Sequence, residues 1–96
     1  MITSKQRSYL KALGNRLDPV VHIGKEGVTP NVLQQIRDVL EARELIKVKL
    51  LDTSLLDAKE TANEVCEKVR AEYVQSIGNK FIIYKESREN KQIELP

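Results

Sequence analysis

The chain has 96 residues, of which 41% are hydrophobic and 31% are charged, and its formal net charge is +2. This length fits one folded domain, and the composition is too apolar for a disordered chain. The single cysteine, Cys66, excludes an internal disulfide and is typical of a reducing compartment. The residues after Met1 are polar, and the apolar stretch Leu45–Leu51 is short and interrupted by lysines. We therefore expect a cytoplasmic protein of one domain, with neither a secretion signal nor a membrane span.

The first half of the chain predicts two helices and two strands. A capping box opens the first helix, and a proline separates that helix from the strand that follows. An N-cap threonine and a proline at the first helical position open the second helix. The alternation of apolar residues and lysines after it predicts a half-buried strand. The predicted elements are a helix over Thr3–Asn15, a strand over Val20–Ile23, a helix over Pro30–Arg43 and a strand over Leu45–Leu51.

The second half predicts an acidic amphipathic helix followed by a β-hairpin. Ser54 and Asp57 mark the start of the third helix, whose apolar stripe extends from Ala58 to Val69 and whose solvent face carries glutamates. Gly78-Asn79 is a two-residue hairpin turn. The strands that it joins are predicted over Tyr73–Ile77 and Lys80–Lys85.

The element order is therefore αβαβαββ. Two helical crossovers and a closing hairpin predict a mixed four-stranded sheet packed with helices in a single two-layer α/β domain over residues 1–96. From about residue 87 to residue 96 the sequence predicts a polar C-terminal tail. We expect this tail to be ordered only where Ile93 and Leu95 contact a surface.

The segment Gly24-Lys25-Glu26-Gly27 is the main candidate binding site. It follows a strand and precedes a capped helix. Glycines let a ligand approach the backbone closely, and a helix N-terminus offers free N–H donors and a positive dipole end. With Lys25 inside the loop, this arrangement predicts contact with a phosphate, which Glu26 opposes. A plain turn between a strand and a helix is the alternative interpretation.

Positive charge is concentrated around this loop. Residues 1–28 contain five basic and two acidic residues, and no acidic residue precedes Asp18. This distribution predicts a basic surface on the first helix, although scattered charges on a solvated face are the simpler interpretation. Lys47 and Lys49 lie on the polar side of their strand and either extend that surface or only form the outer face of the strand. The candidate contacts outside the loop are Lys5, Arg7, Lys11, Arg16, Lys47 and Lys49.

No catalytic or metal site is predicted. His22 is the only histidine and is expected to make a structural hydrogen bond, while Cys66 lies on the apolar stripe of the third helix and is expected to be buried and unreactive. The sequence has no P-loop motif, and one phenylalanine and three tyrosines are too few for an aromatic platform. We therefore predict no enzyme activity, no cofactor and no small-molecule substrate.

Several segments resemble, in order and spacing, the bacterial YhbY-like proteins. These proteins are the stand-alone form of the CRM domain, named for chloroplast RNA splicing and ribosome maturation. The resemblance covers almost the whole chain, although His22 stands where other members often have glutamine. The segments that carry it are Thr3-Ser4-Lys5-Gln6-Arg7, Pro19–Thr29, Glu44–Lys49, Val74–Gly78, Tyr84 and Ile93–Pro96.

The resemblance implies a mixed sheet with helices, similar to the C-terminal domain of translation initiation factor three. It also implies RNA binding without catalysis and, in bacteria, association with precursors of the large ribosomal subunit. The G-x-x-G loop of the family corresponds to Gly24, Lys25, Glu26 and Gly27. We expect a monomer that assists ribosome assembly through contacts with the backbone of ribosomal RNA.

Two other function classes stay open. A protein-interaction module would use the acidic third helix or an edge of the sheet. An RNA chaperone or splicing cofactor would bind RNA without a stable association with ribosomal particles. A helix–turn–helix regulator of DNA is disfavoured, because a strand separates the first two helices and the second helix is not notably basic.

Overall fold

The computed structural model describes all 96 residues and contains three α-helices and four strands in the predicted order. The prediction of a small α/β domain with a mixed sheet is confirmed. A short 3-10 helix over Asp52–Ser54, which the sequence did not predict, precedes the third α-helix. In chain order the elements are α1 (Ser4–Gly14), β1 (Pro19–Ile23), α2 (Pro30–Arg43), β2 (Leu45–Leu50), α3 (Ala58–Val69), β3 (Glu72–Ile77) and β4 (Lys80–Tyr84).

Each α-helix begins at a side-chain cap. Thr3 accepts a hydrogen bond from the backbone N–H of Gln6, whose side chain accepts from the N–H of Thr3, so the predicted capping box is complete. Thr29 caps α2 through its hydroxyl oxygen, and Asp57 caps α3 through its carboxylate. Ser54, by contrast, closes the short 3-10 helix and does not begin α3. These caps satisfy N–H groups that the first helical turn leaves free.

The sheet has the strand order β1-β2-β4-β3. β1 runs parallel to β2, whereas β4 is antiparallel to both of its neighbours, β2 and β3. The register places Leu45 opposite Tyr84 and Lys49 opposite Lys80. As a result, the end of β1, the end of β2 and the β3–β4 turn all lie at one end of the sheet.

Helices cover both faces of this sheet, so the domain has three layers and not the two that the sequence predicted. Phe81 and Ile83 of β4 belong to the main core beneath α2 and α3, while Ile82 and Tyr84 belong to a second core beneath α1. Successive residues of a strand point to opposite faces, and an apolar run such as that of β4 requires cover on both. Leu10 of α1 supplies the centre of the second core and is fully buried.

The C-terminal tail completes the second core. Glu44 follows the last residue of α2 with a positive backbone φ of 67° and is fully buried. Its carboxylate accepts backbone hydrogen bonds from Ser87, Gln92 and Ile93 at 2.8, 2.6 and 2.8 Å. Ile93 and Leu95 pack against the second core, as expected from the sequence. The polar tail is therefore held by acceptors that lie far from it in the chain.

No helix of the structure is both long enough and apolar enough to cross a membrane.

Close packing between α1 and the sheet predicts the effect of a substitution at Gly14. A Cβ atom at this position would lie 2.8 Å from Cδ1 and 2.9 Å from Cγ2 of Ile82, both well inside van der Waals contact. We expect Gly14→Ala to lower the free energy of unfolding by about 1–2 kcal/mol, because overpacking outweighs the better helix propensity of alanine. Urea denaturation measures this loss. Ser8→Ala, at an exposed position of the same helix, is the control and should leave stability within about 0.5 kcal/mol of wild type.

Glu41 and Glu44 are the acidic anchors of the tail, since their carboxylates accept its N–H groups, and they predict a loss of stability in acid. The Ser87 hydroxyl and the N–H groups of Arg88 and Glu89 lower the pKa of Glu41 from 4.5 to about 2. Burial raises the pKa of Glu44, but the hydrogen bonds from three backbone N–H groups lower it by more, so the pKa of Glu44 lies below its ordinary value. A lowered pKa in the folded state stabilises the protein above the ordinary value, and this contribution is lost as the pH falls from about 4.5 towards 2.

Replacing one anchor should therefore flatten the acid limb of the stability profile. We expect Glu41→Gln to be less stable than wild type at pH 7 and to lose less stability between pH 5 and pH 3, about the range in which a carboxylate with a lowered pKa loses its contribution. Denaturant unfolding at each pH gives the profile. Glu67→Gln, at an exposed position on α3, is the matched control. An acid limb of equal steepness in the Glu41 and Glu67 variants would contradict this account.

Candidate functional site

The G-x-x-G segment forms a tight turn between β1 and α2. The N–H of Gly27 donates to the carbonyl of Gly24 at 3.0 Å, which closes the turn, and Lys25 and Glu26 lie exposed at its tip. The N–H of Thr29 then donates to the Gly27 carbonyl at 3.1 Å, and α2 begins at Pro30. The predicted strand–loop–helix arrangement is therefore present, with the loop directed away from the core.

The two glycines of the turn differ in whether the backbone conformation requires a glycine. Gly27 has φ +73°, a left-handed conformation that favours glycine over every other residue. Gly24 has no such conformation, and a Cβ placed on it would make only ordinary contacts, 3.6 Å to Leu51 and 3.9 Å to Thr53. The fold therefore requires Gly27 but not Gly24. A ligand that approaches the backbone at Gly24 would supply the missing reason for a glycine at this position.

The turn presents backbone donors that the protein does not use. The N–H groups of Lys25, Glu26 and Val28 take part in no hydrogen bond within the protein. The start of α2 lies beside them, and its N–H groups add the positive end of the helix dipole. Free N–H groups next to a helix N-terminus form a site suited to an anion such as a phosphate.

A row of basic side chains crosses the sheet next to the turn. Val21 and Ile23 face the main core, so His22 between them faces the α1 side of the sheet. In the sheet register His22 pairs with Lys49, and Lys49 pairs with Lys80. Adjacent strands are about 4.8 Å apart, so three strands carry this row within roughly 10 Å. The row ends two residues before the turn.

Arg16 and Lys47 extend this row towards the end of α1. Lys47 lies on the same face as Lys49, and it borders a cavity of about 350 Å³ together with Asn15 and Lys80. A second cavity of about 410 Å³ brings Lys47 beside Arg16. We call the surface formed by Arg16, Lys47, Lys49 and Lys80 the basic face. It is the part of the α1 side of the sheet that α1 leaves uncovered, since the helix ends at Gly14.

The structure does not bring every predicted contact to this surface. α1 starts at the far end of the sheet, where the N–H of Ile2 donates to Glu72 at 3.3 Å. Arg7 lies in the first turns of this helix, and its Nε donates to the Tyr73 carbonyl at 3.2 Å, so its guanidinium anchors α1 to β3. Lys5 is exposed in the same region, away from the turn. Lys11 lies in the last turn of α1, nearer the basic face.

The charges of this region are free of ion pairs. The three ion pairs of the protein join the amino terminus to Glu72, Lys68 to Glu64, and Lys91 to Glu86. None involves the basic face or the turn, and Lys25 forms no salt bridge with Glu26. The acidic surface of α3 lies on the opposite side of the sheet, and the main core packs between α3 and the sheet. The turn and the basic face therefore carry positive charge that no carboxylate of the protein neutralises through an ion pair.

Sequence reasoning missed Lys80 and assigned the wrong role to His22. His22 is exposed, and its imidazole makes no hydrogen bond within the protein, so the expected structural hydrogen bond is absent. The buried residues on either side of His22 already indicate that it faces away from the main core. Lys80 gave no comparable signal, because only the sheet register places it opposite Lys49.

The other residues considered for chemistry are not part of this surface. Cys66 is buried as predicted, and burial together with the nearby Glu72 raises the pKa of its thiol from 9.0 to about 12. A thiol with so high a pKa stays protonated and is a poor nucleophile. No group of three or more histidine, cysteine, aspartate or glutamate side chains is placed to hold a metal ion.

Comparison with known proteins assigns the chain to a family. Residues 2–85 match the CRS1 / YhbY (CRM) domain. The chain belongs to the CRM domain family. The resemblance noted in the sequence is thereby confirmed.

Relatives of similar length carry descriptions that concern RNA. The chain is 46% identical over 96 residues to the Bacillus subtilis protein YqeI, named a probable RNA-binding protein, and covers 100% of both chains. It is 37% identical over 95 residues to a Haemophilus influenzae protein named RNA-binding protein, covering 99% of this chain and 95% of that one. A solution structure from Staphylococcus aureus, of a hypothetical protein described as a candidate RNA-binding protein, has 47% identity, a TM-score of 0.81 and full coverage of both chains.

The contrast between the two glycines of the turn is directly testable. We expect Gly27→Ala to lower the free energy of unfolding by about 1–2 kcal/mol, because alanine is strained at a φ of +73°. Gly24→Ala should stay within about 0.5 kcal/mol of wild type, since its Cβ meets no close neighbour. Urea denaturation of the two variants side by side measures the difference. Equal losses in both variants would show that the fold itself requires Gly24.

Proposed function

We propose that this protein is a cytoplasmic, monomeric RNA-binding protein without catalytic activity, which holds the RNA backbone on the G-x-x-G turn and the basic face. The observation that carries the proposal is the position of the turn. Its unused N–H donors lie at the same end of the sheet as a row of unpaired basic side chains. Phosphates that follow one another along a strand would meet first the turn and then the row.

Each part of the surface has its own role in this proposal. Gly24 allows the backbone to approach a phosphate closely, and Lys25 adds a flexible positive charge at the tip of the turn. Lys49 and Lys80, with Lys47 and Arg16 beside them, contact neighbouring phosphates. Glu26 is exposed at the tip and points into solvent without a partner, so it limits the affinity for phosphate and does not block the site.

The proposed contact surface lies mainly on the strands beside the turn and not along the whole of α1. Arg7 serves mainly to anchor α1, and Lys5 lies at the far end of the sheet, so we place them outside the main contact area. Lys11 and Arg16, towards the end of α1, stay within reach of the same strand of RNA. Phosphate contacts of this kind position RNA without reading its sequence. Selectivity then depends on the shape of the RNA or on other proteins bound to it.

We further propose that the RNA is ribosomal and belongs to precursors of the large subunit, so that the protein assists assembly. The support is the resemblance to YhbY-like proteins, which implies association with large-subunit precursors, together with membership of the CRM domain family and a surface suited to RNA backbone of any sequence. A small basic protein that binds backbone and reads no bases fits a role in holding RNA during folding better than a role in selecting a single message.

Charge-neutralising variants test the RNA surface. We expect Lys25→Gln/Lys49→Gln to bind a labelled RNA hairpin more weakly at low salt, because two phosphate contacts are lost. The negative slope of log affinity against log salt should become shallower by about 1.4–1.8, which corresponds to the loss of two phosphate contacts. Fluorescence anisotropy over a salt series measures both quantities.

The matched control is Arg37→Gln/Lys59→Gln on α2 and α3. This variant removes the same net charge from exposed positions on the other side of the sheet. It should keep nearly the wild-type affinity and slope. Equal loss in the two double variants would mean that only net charge matters, and the proposed surface would be wrong.

The ribosomal part has a separate test. Lysate from the native cell is sedimented through a sucrose gradient with and without ribonuclease. Co-migration with large-subunit precursors that ribonuclease abolishes is the expected result. Sedimentation in the light fractions at low salt would leave RNA binding intact and would overturn stable association with ribosomal particles.

A further inference from the structure

The segment between β2 and α3 exposes three leucines beside the G-x-x-G turn. Leu55 is 93% exposed, while Leu51 and Leu56 are 39% and 40% exposed. Most of the other large apolar side chains of the protein are buried in the two cores. We call Leu51, Leu55 and Leu56 the leucine edge.

The backbone holds Leu55 in this exposed position. Leu55 directly follows the short 3-10 helix with φ 58° and ψ 23°, a left-handed conformation that is unfavourable for a leucine. The N–H of Ser54 donates to the Leu51 carbonyl at 2.9 Å, and the N–H of Leu56 donates to the Ser54 hydroxyl at 3.3 Å. The fold therefore maintains an unfavourable backbone conformation and gains no burial of the side chain in return.

The leucine edge and the turn are in direct contact. The N–H of Leu51 donates to the carbonyl of Ile23, the residue before Gly24, at 2.8 Å. Leu51 Cδ1 lies 3.6 Å from the Cβ position of Gly24, and Leu56 Cδ1 lies 4.0 Å from that of Gly27. The apolar side chains thus flank both glycines of the turn. A molecule whose phosphate lies on the turn would extend over these leucines.

We propose that the leucine edge contacts the unpaired bases of the RNA strand whose phosphates are held by the turn. This inference rests on the proposed function and adds a preference for single-stranded over fully paired RNA. A nucleotide combines an anionic phosphate with a flat base of low polarity, and the site offers unused N–H donors next to apolar side chains. Bases in a duplex are stacked and paired, so only unpaired bases can reach this edge.

A protein partner fits the leucine edge less well. A stable protein interface buries about 800 Å² on each partner, far more than three leucine side chains expose. The exposed carboxylates of Asp52 and Asp57 border the leucines, which limits the apolar surface to the side chains next to the turn. The edge instead contacts the turn, whose free N–H groups and Lys25 complement phosphate.

The test compares two variants of Leu55 on two probes. Leu55→Asn removes the apolar contact and suits the left-handed backbone, so the variant should be at least as stable as wild type. Leu55→Met keeps an apolar side chain and is the matched control. The probes are a short oligouridylate and an abasic oligoribonucleotide of the same length, which carries the same phosphates without bases.

Leu55→Asn should weaken binding of oligouridylate about threefold to tenfold and leave binding of the abasic oligomer unchanged. Leu55→Met should bind both probes like wild type. An unchanged affinity of Leu55→Asn for oligouridylate, or an equal loss on both probes, would overturn the base contact. If Leu55→Asn instead releases a protein partner from ribonuclease-treated particles while its affinity for oligouridylate is intact, the edge is a protein contact and the proposal is wrong.

The outcome is separable from failure of the proposed function. Should wild type bind neither probe at low salt, or the Lys25→Gln/Lys49→Gln variant bind both probes like wild type, the RNA surface itself is refuted. A loss of affinity in that double variant combined with no effect of Leu55→Asn refutes only the base contact.

Discussion

The contact between Gly14 and Ile82 determines where α1 lies and, with it, which part of the sheet stays open. A missing side chain at Gly14 lets the helix backbone approach β4, and Leu10 one turn earlier fills the second core. α1 ends at this contact after 11 residues, about 16 Å of helix. The sheet extends further, and the residues beyond the helix end are lysines that need solvent. The basic face therefore follows from the length and placement of one short helix.

The buried carboxylate of Glu44 holds the C-terminal tail on the α1 side of the sheet, at the end away from the turn. A fully buried glutamate is costly unless its charge is satisfied, and the backbone N–H groups of Ser87, Gln92 and Ile93 supply that satisfaction. The tail is thereby drawn across the second core, where Ile93 covers apolar surface. Apolar contacts and the tail cover the half of this face far from the turn, and the lysines of β2 and β4 occupy the half beside the turn.

Separation of charge across the sheet gives the molecule its polarity. The glutamates of α3 lie above one face and the unpaired lysines of β2 and β4 lie on the other, at the end that carries the G-x-x-G turn. The small net charge of +2 conceals this arrangement. For an RNA strand the local field near the turn matters more than the total charge, because screening in salt limits the reach of distant charges. The leucine edge adds an apolar surface next to the turn.

Local patterns in the sequence predicted the helices, the strands, the hairpin and the turn, because caps, alternation and glycine positions depend on neighbouring residues. The same local signals predicted Gly24, Lys25, Lys47 and Lys49 as candidate contacts. The number of layers, the anchoring role of Arg7 and the place of Lys80 in the basic face depend on tertiary packing. Strand register and helix packing bring together residues far apart in the chain, and no local pattern encodes which of them meet.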